Sequence, residues 1–108
     1  MSVPLPQPIN DYVNASNAHD VNSILACFSD TSTVQDEGQT LKGKQAIEGW
    51  IVRTIEKYKF QFMPLAIKND GVETVVRTQV SGAFDGSPVE LDFHFKTEKE
   101  KIMSLMVS

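Results

Sequence analysis

The sequence is poor in the residues that build covalent cross-links and metal centres. It has one cysteine, Cys27, and two histidines, His19 and His94. A single cysteine excludes an internal disulfide. One cysteine and two widely spaced histidines exclude a Cys/His zinc cluster. No acidic stretch has the spacing of a calcium loop, and neither a glycine-rich phosphate cradle nor a Gly-x-Ser-x-Gly elbow occurs. The expectation is no metal and no cofactor. Basic charge is also scarce: ten Lys and Arg stand against fourteen Asp and Glu, for a net charge of −4. Without a basic patch, a nucleic-acid partner is not expected. No apolar run approaches the roughly 18 residues of a membrane span, so no membrane role is expected. Met1-Ser2-Val3-Pro4-Leu5-Pro6 lacks the charged and apolar regions of a signal peptide. These absences together predict a cytoplasmic protein.

What is present is an ordinary globular composition, 41% apolar and 22% charged over 108 residues. This predicts one domain over residues 1–108 with a single core, residues 1–7 forming an extended lead-in. Pro8 suits the first turn of a helix, and Ile9, Tyr12, Val13 and Ser16 follow at helical spacing. Asp20 is a good cap for a second helix, with Val21, Ile24, Leu25 and Phe28 as its stripe. Ser29–Thr33 read as punctuation before a short strand over Ser32–Glu37, with Val34 and Asp36 on one face. Gly38 and Gly43 bracket a turn-rich segment. The third helix is the clearest element: Ile47, Trp50, Ile51, Thr54, Ile55 and Tyr58 form one stripe.

After Lys59 the period becomes two. Phe60 and Phe62 open a strand in which Pro64 marks a bulge or an edge position. Asn69-Asp70-Gly71 is a hairpin turn. Val72, Thr74, Val76, Thr78 and Val80 line one face of the next strand, and Asp85-Gly86-Ser87-Pro88 makes another turn. Val89, Leu91, Phe93 and Phe95 then alternate with Glu90, Asp92, His94 and Lys96, and Ile102–Val107 is the last strand. The expected architecture is α+β: three N-terminal helices packed in a cone on a curved, mostly antiparallel sheet, with a pocket between the layers.

This order resembles the nuclear transport factor 2-like superfamily, and within it the ketosteroid isomerase and SnoaL-like branch. The resemblance is carried by Tyr12-Val13-Asn14-Ala15-Ser16-Asn17-Ala18-His19-Asp20, by Phe28-Ser29-Asp30 and by Thr33-Val34-Gln35-Asp36. It continues in Gly43-Lys44-Gln45-Ala46-Ile47 before the third helix and Lys101-Ile102-Met103-Ser104-Leu105 in the last strand, and covers about residues 8–107. It implies a cystatin-like fold and a homodimer through the outer sheet face, where Met103, Leu105, Met106 and Val107 bring little charge.

The isomerases use a tyrosine on the first helix, an aspartate base on the first strand and a protonated aspartic acid on a late strand. Tyr12 matches the first role and Asp36 the second; Glu37 stands where the isomerases commonly have proline. A carboxylate facing an apolar cavity is desolvated and becomes a better base. A phenol opposite it can donate to the oxyanion that forms when a proton leaves the carbon beside a carbonyl. The third role depends on register. Asp92 aligns with the late acid if the last hairpin has no insertion, and His94 would then face inward too. A one-residue insertion puts Leu91 there instead, and the alternation favours Leu91 inward. Phe28, Trp50, Ile55, Phe60, Leu91 and Phe93 are expected to line the pocket against a small apolar ligand. Three functions fit: a cofactor-free enzyme acting on a small carbonyl compound, a non-catalytic ligand-binding protein, or a dimerising module with a filled pocket.

Overall fold

A computed structural model describes residues 3–108. Helix α1 spans Gln7–Asn17, beginning at the last residue of the expected lead-in, with Pro8 in its first turn. Its buried residues are Ile9, Tyr12, Val13 and Ser16, the face read from the spacing. Asp20 caps α2 (Val21–Leu25), its carboxylate accepting from the Ser23 amide at 3.2 Å and the Ser23 hydroxyl at 2.8 Å. That helix is shorter than its apolar stripe. The Cys27 carbonyl is taken by the Ile102 amide at 2.8 Å, so the chain leaves the helix and Phe28 begins strand β1.

Strand β1 (Phe28–Asp36) therefore includes the segment that reads as punctuation. Its pairing shifts register between Phe28 and Thr33, where an irregularity is pinned by side chains. The buried Ser32 hydroxyl donates to the Ile102 carbonyl at 2.6 Å and accepts from the Ser29 amide at 2.8 Å. A second short strand, β2 (Gln39–Lys42), stands where only turns were expected. Asp36 pairs with Gln39 across a two-residue turn in which Glu37 and Gly38 have φ of +54° and +74°. Two positive φ values in a row match the twist of a tight hairpin. Glycine adopts them freely and glutamate does not, which hides the hairpin from a sequence reading.

Helix α3 (Lys44–Tyr58) buries Ile47, Trp50, Ile51 and Thr54. The meander follows as β3 (Gln61–Asn69), β4 (Thr74–Ser81), β5 (Val89–Glu98) and β6 (Lys101–Val107). The sheet order is β2-β1-β6-β5-β4-β3, antiparallel throughout except for the parallel β1–β6 pair. Pro64 sits at a register shift in β3, which is an edge strand, so bulge and edge coincide. Val72, expected to open the inner face of β4, falls in the preceding turn and is exposed.

The helices pack on one face of the sheet around Phe28, Phe95, Ile24, Ile47, Ile102 and Leu105, all fully buried. Leu105 and Val107 thus point inward, so Met103 and Met106 are what remains of the apolar outer face expected on the last strand. No helix among the described residues is long and apolar enough to cross a membrane. Cys27 is a buried thiol, and burial pushes its pKa up to about 11, which makes it unreactive near neutral pH.

Candidate active site

A cavity of about 240 Å³ opens between the helices and the inner face of the sheet. Its size is just below the range of about 300–1,000 Å³ typical of sites for small organic molecules. Phe60 and Phe62 form its aromatic wall, stacked with centroids 4.5 Å apart, and Phe93 meets Phe62 edge-on at 5.1 Å. Leu91, Val89 and Val107 continue the apolar lining from the sheet, and Trp50, Ile51 and Thr54 face them from α3.

Tyr12 enters from α1 and is only 3% exposed. Its ring is fixed edge-on against Phe28 at 5.9 Å and Phe95 at 5.7 Å, with Phe62 stacked at 6.2 Å. Burial drives the phenol well above its ordinary pKa, and the nearby Asp36 charge adds to the shift. The tyrosine is therefore a neutral donor at any physiological pH. Helix α1 is tied to the sheet by Asn17, whose side-chain amide imitates a strand. It donates to the Phe62 carbonyl at 2.9 Å and accepts from the Phe62 amide at 2.7 Å.

Asp36 ends β1 on the cavity wall, half-buried. The Trp50 indole donates to its Oδ2 at 3.0 Å. Desolvation raises the carboxyl's pKa above the ordinary value; the Trp50 bond works against this, and the neighbouring Glu37 charge works with it. Glu37 is shifted the other way. It accepts a short hydrogen bond from the Tyr58 hydroxyl and a salt bridge from Lys57 at 3.3 Å, and both hold its pKa below the ordinary value. Two adjacent carboxylates are thus driven apart, the arrangement that separates an acid–base group from a permanently ionised one. The left-handed backbone at Glu37 also shows why proline cannot occupy this turn, since its ring fixes φ near about −65°.

Of the pocket residues expected from sequence, Trp50, Phe60, Leu91 and Phe93 line the cavity, together with Tyr12 and Asp36. Phe28 and Ile55 do not. Phe28 is fully buried behind the Tyr12 ring, supporting it rather than meeting a ligand. Ile55 lies one residue past Thr54, about 100° around the helix from it, and packs against the core without reaching the cavity. The register of β5 puts Leu91 inward. Asp92 is on the opposite face, 3.1 Å from Arg77 Nε, and His94 bonds Glu73 at 3.0 Å and Ser108 at 2.9 Å there. His19 serves the fold: its Nε2 meets the Phe60 carbonyl at 2.7 Å. The sequence reading missed Ser16 and Glu37 as cavity residues. Ser16 had a signal, a hydroxyl at a stripe position of an apolar helix face. Glu37 had none, because its partner Tyr58 is remote in sequence. Among the described residues, no three His, Cys, Asp or Glu side chains gather closely enough to hold a metal ion.

Three helices on one face of a six-stranded, mostly antiparallel sheet with a cavity between them define a nuclear transport factor 2-like protein. Within that superfamily the chain belongs to the SnoaL-like family, whose domain model matches residues 9–104. A search of curated proteins finds no match. Among solved structures it is similar to a Sinorhizobium meliloti protein provisionally assigned as a polyketide cyclase. The two share 33% identity, with a TM-score of 0.92 over 96% of this chain and 95% of that one. A Catenulispora acidiphila protein with a ketosteroid isomerase-like fold, in complex with trimethylamine, has 20% identity and a TM-score of 0.84 over 97% of this chain and 86% of that one. A computationally designed binder of 17-OHP shares the fold at 17% identity and a TM-score of 0.79, over 93% of this chain and 86% of that one.

Proposed function

We propose that the protein is a cofactor-independent enzyme that moves a proton at the carbon beside a carbonyl of a small apolar compound. The observation that supports this best is Asp36, the one group on the apolar wall whose carboxylate is weakened as an acid by burial while held in place by Trp50. Asp36 takes the proton from the α-carbon, and the electron pair moves onto the carbonyl oxygen. The Tyr12 phenol donates to that enolate oxygen. Returning the proton to a different carbon completes an isomerisation, with no net oxidation and no added reactant. The provisional assignment of the Sinorhizobium protein fits the same first step, since closing a ring by carbon–carbon bond formation also begins with proton removal beside a carbonyl.

The test is conversion of β,γ-unsaturated ketones, from 3-cyclohexenone up to a ketosteroid, to their conjugated enones, followed by ultraviolet absorbance. Turnover supports the reading, and absence of turnover across the series sinks the isomerase form of it. The acid limb of kcat/KM should follow Asp36, with activity lost as pH falls through its raised pKa. Trp50→Phe removes the hydrogen bond that favours the charged form, so the acid limb should move to higher pH. A limb that does not move would place the titrating base elsewhere.

A ligand-binding role without chemistry is the second reading, and the designed 17-OHP binder supports it as an example of this fold serving as a container. For assembly we propose a homodimer across the outer sheet face, where Met63 and Met106 are exposed at 53% and 37%. Sedimentation velocity should then give about twice the 12.0 kDa monomer mass, and a monomer would overturn it. The cytoplasm is the proposed compartment.

A further inference from the structure

On the same cavity as Asp36, one buried group has no partner. The Ser16 side chain is 1% exposed and lines the cavity, and its Oγ is the one buried side-chain polar atom among the described residues that makes no hydrogen bond. A serine inside a helix ordinarily turns its hydroxyl back to a carbonyl one turn earlier. Thr54, on the facing helix and on the same cavity, does this, donating to the Trp50 carbonyl at 2.9 Å with the Ile51 carbonyl at 3.2 Å. Ser16 does not. It lies one turn beyond Tyr12, so the two side chains share a helix face. The two hydroxyls are neighbours, and a weak hydrogen-bonding approach of Ser16 lowers the Tyr12 pKa against the effect of burial, but the approach falls outside full hydrogen-bond geometry and leaves the Ser16 Oγ unsatisfied. Leaving a buried hydroxyl unpaired is costly, so such a group points to a partner that arrives with a ligand.

We propose that Ser16 and Tyr12 together bind one ligand oxygen, a ketone carbonyl or the enolate formed from it, with Ser16 as the second donor of the pair. The late-strand acid that would otherwise supply that donor is absent from the cavity: Leu91 occupies the wall and Asp92 is held by Arg77 on the far face. The ligand class follows. It is an apolar ring compound with a single ketone, enol or phenol oxygen entering first, toward α1, and its hydrocarbon body against Phe60, Phe62 and Phe93. This rests on the carbonyl reading above and adds a residue to it.

The probes are 2-naphthol, which carries one such oxygen, and naphthalene, which lacks it, with binding followed by ligand fluorescence. Ser16→Ala should weaken 2-naphthol by about 5-fold, the effect of one hydrogen bond in a buried site, and leave naphthalene unchanged. Ser16→Cys keeps the side-chain shape at a slightly larger size but donates poorly, and should also weaken 2-naphthol selectively. Ser16→Ala should not lower Tm, since alanine is the better helix former and an unpaired buried hydroxyl is lost. Equal effects on both probes, no effect on either, or no binding of 2-naphthol by the unmodified protein would overturn the role of Ser16. Asp36-dependent turnover is read separately: if it persists while Ser16→Ala leaves 2-naphthol binding intact, the reaction stands and the second donor falls.

Discussion

Asp36→Asn is expected to lower turnover of a β,γ-unsaturated ketone by about 10²–10⁴-fold, the usual contribution of a positioned general base. Asparagine keeps the shape of the side chain, and its carbonyl oxygen can still accept from the Trp50 indole, so the cavity wall should survive the change. What is lost is the capacity to hold a proton. Stability should move in the opposite direction to activity. The Asp36 pKa is higher in the folded protein than in the unfolded chain, because burial disfavours the carboxylate. Between the two pKa values the folded state binds more protons, so stability falls as pH rises through that window, and the full penalty is present above it. At pH 7 Asp36→Asn should therefore be at least as stable as the unmodified protein, and its Tm should lose that part of its pH dependence. Trp50 is the only tryptophan. Its fluorescence should report the Asp36 titration directly in the unmodified protein and show no such transition in the variant. Retained turnover in Asp36→Asn would assign the proton transfer to another group.

Proton chemistry in this cavity depends on contrast between neighbours. Glu37 follows Asp36 in the chain, yet Tyr58 and Lys57 keep it ionised while Asp36 is driven toward the neutral form. The contrast arises from the hairpin turn, which swings Glu37 toward the C-terminal end of α3 and leaves Asp36 against Trp50. A ligand entering past Glu37 and Tyr58 meets charge at the rim and hydrocarbon within, with the two hydroxyls of α1 at the buried end.

Features set by local pattern were legible in the sequence. The α3 stripe, the alternation of Val89, Leu91, Phe93 and Phe95, the Asp20 cap and the Asn69-Asp70-Gly71 turn each rest on a few adjacent residues. Features set by partners distant in the chain were not. Phe28 fits a helical stripe, but pairing with Ile102 draws it into β1. Ser29 and Ser32 read as loop residues, but their hydroxyls hold an irregular strand to β6. Strand β2 was hidden by a glutamate in a left-handed turn. In the site, Tyr12, Asp36, Trp50 and Leu91 follow from periodicity and resemblance, whereas the Glu37–Tyr58 bond and the unpaired Ser16 hydroxyl exist only once α1, α3 and β1 are brought together.

The largest loss of stability from a minimal change is expected at Gly82, just after β4. A Cβ placed there would clash with the Tyr58 carbonyl oxygen and lie 3.2 Å from that of Lys59 and 3.2 Å from the Phe60 Cα. All three are backbone atoms, so no rotamer change relieves the contact. The backbone is also fixed from both sides. The Ala83 amide donates to the same Tyr58 carbonyl at 2.7 Å, and the Gly82 amide donates to the Ser87 hydroxyl at 2.9 Å. Gly82→Ala must therefore push the end of β4 away from the turn between α3 and β3. Overpacking of this kind costs about 1–3 kcal/mol, and more where the surroundings cannot yield. With about 3 kcal/mol as the expectation here, Tm should fall by roughly 12–24 °C in a domain of this size. The damage should not stay local. Tyr58, Phe60 and Phe84 all border the cavity from this corner, so ligand affinity should fall together with stability even though Gly82 itself does not line it. Thermal unfolding of Gly82→Ala within a few degrees of the unmodified protein would mean that the α3–β4 contact is looser than these distances imply.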